Sequence, residues 1–126
     1  MSLRTPLKRM RGLGSAKEGT GHWWAQRLTA IALVPLSIWF VVSVITLVNA
    51  DYTTVAAWLQ SPLAAIFMIA FIWVLAYHSQ LGLQVVVEDY VHLEWLKIST
   101  LILLKFLHYF IAAVAIFAVL HTVFGD

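Results

Sequence analysis

Apolar positions along this chain fall into three long, nearly unbroken runs, not into the alternating or striped patterns of a soluble fold. The first run extends from Leu28 to about Val48 and is headed by Trp23 and Trp24, so it predicts a helix over about 23–48. The second predicts a helix over about 62–91, with Ser61 as N-cap and Pro62 in the first turn. The third predicts a helix over about 97–124. A run of about 20 apolar residues crosses the hydrocarbon core, and a helix satisfies its own backbone there. The fold class read from the pattern is therefore an all-α membrane protein with three transmembrane helices. Pro35 lies inside the first run and predicts a kink that a membrane helix tolerates. The second run is longer than the bilayer needs, which predicts tilt or protrusion. Between the first two runs, Asn49-Ala-Asp51 breaks the pattern, and Tyr52–Gln60 is short and mildly amphipathic, suited to the far interface.

The polar residues inside the runs carry the candidate chemistry. His78 sits near the middle of the second run, and Glu88 and Asp89 close it. Hydrocarbon penalises ionisable groups, so an intramembrane histidine marks a functional site by default. From His78 to Asp89 is eleven residues, or about 16 Å of helix, and eleven steps of about 100° return to within about 20° of the start. One face thus carries a possible metal ligand at depth and an acidic residue at the membrane surface.

Composition and charge sharpen this picture. Of 126 residues, 62% are hydrophobic and 11% charged, and the mean hydropathy is +0.88; only a bilayer covers so much apolar surface in a chain this short. The net charge of +2 is unevenly spread: Arg4, Lys8, Arg9, Arg11, Lys17 and Arg27 precede or open the first run, and only Lys97 and Lys105 follow. That asymmetry sets orientation and is not a nucleic-acid footprint. It predicts the N-terminus inside and the C-terminus outside, and the far connection Asn49–Ser61 contains no Lys or Arg, in keeping with this. The domain reading is a basic tail over 1–22, irregular and facing the cytoplasm or matrix, and a three-helix membrane domain over 23–126. Gly12-Leu-Gly14-Ser-Ala-Lys17 lacks the Gly-Lys-Ser/Thr ending of a phosphate loop and follows no strand. The first run is too long and starts too late for a cleaved signal peptide. With no cysteine, disulfides and cysteine-ligated clusters or zinc sites are excluded.

Each candidate has a plain reading beside the functional one. His78 either hydrogen-bonds a neighbouring helix or ligates a metal or haem. Gly82, one turn on, admits a flat group or a close backbone. Glu88, Asp89 and Tyr90 are either a solvated helix end or a proton-relaying pair, since a tyrosine hydroxyl beside a carboxylate supplies the hydrogen bond and proton that a quinone carbonyl needs. Acidic groups at a helix C-terminus oppose its dipole, so they do not stabilise their own helix. Arg27 is either a snorkelling anchor or a guanidinium clamp on a carboxylate such as a haem propionate. His108, on helix three at a depth like that of His78, is the rival ligand, with Lys105 beside it; a Lys-x-x-His face also suits a partner or a lipid headgroup. His22, His92 and His121 read as interfacial.

These residues meet a known family. Gly14 to Ile31 (GSAKEGTGHWWAQRLTAI), then His78-Ser-Gln-Leu-Gly82 with Glu88-Asp89-Tyr90-Val91, in a three-span chain of this length, resemble the small hydrophobic membrane-anchor subunits of succinate dehydrogenase, respiratory complex II, of the alphaproteobacterial type. The resemblance covers nearly the whole chain. It implies packing with a second three-helix anchor, the cytochrome b556 subunit, and together with it the docking of an iron–sulfur and a flavoprotein subunit on the inner face. It implies one haem b between the anchors, with His78 as this chain's axial iron ligand; ubiquinone as substrate, with Tyr90 and Asp89 at its site; and Arg27 near the haem propionates and quinone pocket. His108 matches no family ligand. It also implies no catalytic residue and no activity from this chain alone. The short basic N-terminus suits a bacterial cell inner membrane more readily than a mitochondrial one. The competing readings are the anchor of a related quinol:fumarate reductase, a cofactor-free scaffold, and a transporter subunit, for which the paired repeats and broken helices of that class are not evident.

Overall fold

The computed structural model describes residues 14–125, with side chains from residue 19 onward; Arg4, Lys8, Arg9 and Arg11 lie outside the described residues. The described chain is all helical: α1 Gly14–Leu47, α2 Tyr52–Leu59, α3 Pro62–Tyr90 and α4 Glu94–Phe124. Three of these contain stretches long and apolar enough to cross a membrane, Gly19–Leu47, Pro62–Tyr90 and Glu94–Phe124. A helix of 29 residues, the length of α3, is about 43 Å long against a hydrocarbon core of about 30 Å, so its ends reach the headgroup region.

The element ends follow local chemistry. The first helix ends where Ala50 N–H bonds back to Leu47 C=O at 3.0 Å. Asp51, in extended backbone, then caps α2 by accepting from the Thr54 amide at 2.9 Å. Ser61 takes the N-cap position of α3 with Pro62 behind it, but its hydroxyl makes no capping bond. Proline's fixed φ and missing N–H explain the start without one. Val91 returns to extended backbone and ends α3, and Glu94, an acid in the first turn, starts α4 where the helix dipole favours it.

Three expectations are corrected. The first helix begins at Gly14, not Trp23, so the part of the tail expected to be irregular is helical from there on. The last helix begins at Glu94, ahead of the expected 97, which leaves only His92 and its two neighbours between α3 and α4. The amphipathic segment after Asp51 is a helix, making four.

Helix α3 is central, packed along both α1 and α4, while α2 rests on α3 and α4. Aromatic pairs run down the α1–α3 seam, Trp39 with Phe67 and Phe40 with Phe71, and Trp58 of α2 stacks on Trp39. The α3–α4 seam carries Trp73 against Tyr109. Buried positions include three alanines, Ala64, Ala65 and Ala112. Lipid supplies no hydrophobic drive between helices, so small side chains that allow close van der Waals approach, together with interhelical hydrogen bonds, hold such seams. The outer faces are apolar and open, Ile31 and Phe106 among them, as a surface facing lipid or another apolar chain requires.

Candidate functional site

The α1–α3 seam joins two polar stripes. On α1, His22, Gln26 and Thr29 are spaced i, i+4, i+7 and so share a face; on α3, His78 and Gly82 do the same. The antiparallel register sets Thr29 against His78 and Gln26 against Gly82. Thr29 Oγ1 lies 2.8 Å from His78 Nδ1, and a Cβ added at Gly82 would meet Gln26 Nε2 at 3.7 Å, ordinary contact distance. Gly82 therefore faces a side-chain amide, not a neighbouring backbone, and packing within this chain leaves room for more than a hydrogen there.

The proton positions at His78 follow from the network. Thr29 Oγ1 is 2.7 Å from Ala25 C=O and 3.1 Å from Gln26 C=O. A carbonyl only accepts, so the hydroxyl's single proton goes to the backbone, and Nδ1 is the donor to Oγ1. The basic nitrogen of His78 is then Nε2, which makes no hydrogen bond among the described residues.

His108 is arranged differently. Its Nδ1 donates to Leu104 C=O at 2.8 Å, so Nε2 accepts from Ser79 Oγ at 3.1 Å. Both ring nitrogens are engaged, and ligation through Nε2 would require Ser79 to swing away. Among the described residues, Ser79 and His108 are the only polar side chains lining a cavity of about 440 Å³ between α1, α3 and α4, walled by Phe40, Phe71, Leu75 and other apolar residues. Since they satisfy each other, that cavity offers no free polar group to orient a ligand.

Of the other predicted residues, Glu88, Asp89 and Tyr90 lie at the C-terminal end of α3. Tyr90 is 77% exposed, and Glu88 and Asp89 are exposed beside it. A side-chain ladder climbs α3 from depth to this end: Gln80 Nε2 donates to Gln84 Oε1 at 3.3 Å, and Gln84 Nε2 to Glu88 Oε1 at 3.0 Å. Arg27 is exposed, with its guanidinium 5.3 Å from the Trp23 ring centroid. No hydrogen bond or ion pair joins Arg27 to Asp89 or Tyr90 among the described residues, so the convergence of these three expected from sequence is not a direct contact. Among the described residues no three His, Cys, Asp or Glu side chains gather into a metal-binding cluster.

Thr29, Gln26 and the burial of His22 escaped the sequence reading. His22, expected at the interface, has a buried Nε2 without a partner, as has Gln26 Oε1. The signal that could have found all three is their i, i+4, i+7 spacing at the head of an apolar run.

Residues 1–122 match the family described as succinate dehydrogenase/fumarate reductase transmembrane subunit. The chain is similar to the succinate dehydrogenase hydrophobic membrane anchor subunit of Rickettsia bellii, 34% identical over 102 residues that cover 81% of this chain and 82% of the relative. It is also similar to that of Rickettsia conorii, 31% identical over 103 residues, 81% of this chain and 82% of the relative. A third relative of the same description, from Paracoccus denitrificans, is 34% identical over 86 residues, 68% of this chain and 67% of the relative.

Proposed function

The chain belongs to the succinate dehydrogenase/fumarate reductase transmembrane subunit family, a multi-pass membrane protein, and on that premise we propose that it anchors a succinate dehydrogenase of the tricarboxylic acid cycle and respiratory chain, contributes one axial ligand to haem b and forms part of the ubiquinone-reduction site. The relatives above are succinate dehydrogenase anchors, which favours succinate oxidation over the fumarate-reducing alternative. The Lys and Arg bias puts the N-terminus, Arg27 and the α3–α4 connection on the inner side and the C-terminus outside, in a bacterial inner membrane. The partners are the cytochrome b556 anchor on the open apolar faces, and the iron–sulfur and flavoprotein subunits on the inner face.

The observation that carries the haem reading is His78: a part-buried imidazole in a spanning helix, with Nδ1 held by Thr29 and Nε2 free of partners among the described residues. Metal-ligating histidines recur in this form, one nitrogen oriented by a hydrogen bond and the other available. The room at Gly82, one turn along the same face, suits a flat macrocycle. Haem b supplies a site that accepts and returns one electron. His78 Nε2 would hold its iron together with a ligand from the partner anchor, and Arg27, free to swing from Trp23, would meet a propionate carboxylate.

At the inner end, the exposed Tyr90 hydroxyl donates to a quinone carbonyl oxygen, and the Asp89 carboxyl passes it a proton. Two electrons from the iron–sulfur partner and two protons convert quinone to quinol, and this chain positions the quinone and routes the protons. The part-buried pair Ser79–His108 has no free donor for a carbonyl, which supports the inner end as the quinone site.

The test is a dithionite-reduced minus oxidised spectrum of the detergent-purified complex, with and without His78→Ala. The expected result is a b-type signal that the substitution abolishes or shifts. An unchanged signal in the variant removes His78 as ligand.

A further inference from the structure

We infer that Thr29 is a positioning residue for His78, fixing the Nδ1–H tautomer and thereby leaving Nε2 as the basic nitrogen. The inference rests on the haem-ligand reading above and adds to it the residue that makes the imidazole competent.

Three short contacts converge on one hydroxyl. Thr29 Oγ1 lies 2.7 Å from Ala25 C=O, 3.1 Å from Gln26 C=O and 2.8 Å from His78 Nδ1. The hydroxyl has one proton. If that proton pointed at Nδ1, two oxygen lone pairs would face each other at 2.7 Å with nothing between them. If it points at the backbone, every contact is satisfied: Nδ1–H donates to Oγ1, and Oγ1–H donates to the carbonyls of the preceding turn. The relay ends on α1's own backbone, so the acceptor cannot rotate away without losing its bond. Threonine's branched Cβ stiffens χ1 further. A hydroxyl that already donates is also a stronger acceptor, which increases electron density on the imidazole and its strength as a ligand.

The second histidine at similar depth gives the control. His108 has the same tautomer, imposed by Leu104 C=O, yet its Nε2 is taken by Ser79. A fixed tautomer alone therefore does not make a ligand. His78 combines a fixed tautomer with a free Nε2, and the fixing group comes from a different helix, so the α1–α3 seam must be formed before the ligand is set.

The experiment uses the assembled, detergent-purified complex and reads the haem, not turnover: its midpoint potential by redox titration, its low-spin ferric resonance, and its retention on dilution. Thr29→Val keeps the shape and removes the hydroxyl; Thr29→Ser keeps the hydroxyl. The expected result for Val is a raised midpoint potential, since a weaker imidazole donor stabilises ferric iron less, with an altered ferric resonance and haem retention weakened about 10-fold. Thr29→Ser should restore all three. Thr29→Ala, which leaves a small gap, should move the potential in the same direction as Val, whereas a simple packing defect would appear in Ala and not in Val. Potential, resonance and retention unchanged in Val, in a complex where His78→Ala still removes the signal, would overturn the role of Thr29 and leave His78 as ligand. A signal unchanged in His78→Ala would overturn the ligand reading itself.

Discussion

Ser79 on α3 donates to Nε2 of His108 on α4 across 3.1 Å, one residue along from the point where His78 bonds Thr29 on α1. Consecutive positions on a helix are about 100° apart, so this dipeptide pins α3 to a different neighbour with each residue. Interhelical hydrogen bonds in membranes contribute about 0.6 kcal/mol on average. Ser79→Ala should therefore lower the thermal stability of the purified complex slightly, by about that amount, and leave the haem spectrum intact. His108→Leu should behave alike. Loss of the b-type signal in either variant would mean that the α3–α4 link, or His108 itself, sets the haem.

Asp51 gives a pH prediction outside the membrane spans. The hydroxyl and amide of Thr54 hold its carboxyl below the ordinary 3.8. A carboxyl depressed on folding stabilises the folded form above its unfolded value, and that stabilisation is lost as pH falls through the lower, folded value. Acidification below 3.8 should thus release the α2 cap and speed hydrogen exchange at the Thr54 amide, beyond the intrinsic pH dependence of exchange. Asp51→Asn, which keeps a capping oxygen without a titrating group, should lack this excess. An equal excess in both proteins would place its origin elsewhere.

The spans were legible because the hydrocarbon core demands about 20 apolar residues in a row, and His78 because an imidazole there stands out against Leu and Val. The start of α1 was not: Gly14, Gly19 and Gly21 disfavour a helix intrinsically, yet the segment from Gly14 continues the helix that the apolar run propagates. Thr29 was hidden for another reason. Its partner is 49 residues away, and only the antiparallel register of α1 on α3 brings them together. Arg27 was legible as the cation that opens the first apolar run, but its contact with Trp23 was not, because the orientation of a long exposed side chain is not encoded in spacing.

Tyr90 is exposed at the C-terminal end of α3 with Asp89 beside it, and among the described residues no hydrogen bond holds its hydroxyl. That group is free for a substrate. Tyr90→Phe should lower quinone reduction by about tenfold, the effect of a lost hydrogen bond of ~1.5 kcal/mol. Succinate oxidation with an artificial acceptor should be unaffected, because the proposed assembly puts the flavin chemistry in another subunit. Unchanged quinone reduction would remove Tyr90 from the site; loss of both activities would point to failed assembly.

Gly82 separates packing within this chain from contact with something bound to it. A Cβ there would find Gln26 Nε2 at 3.7 Å and no closer neighbour, so Gly82→Ala costs nothing sterically within the chain and adds about 0.5–1 kcal/mol of helix stability. If only helix packing mattered, the variant complex would be as stable as the parent or more so, with normal haem. With a macrocycle lying across this face, a larger side chain must compete for the space. Gly82→Leu should therefore reduce haem per flavin while the chain still inserts and assembles, and Gly82→Ala should fall between the two. Full haem content in Gly82→Leu, with unchanged spectrum and assembly, would place the haem on another face of α3.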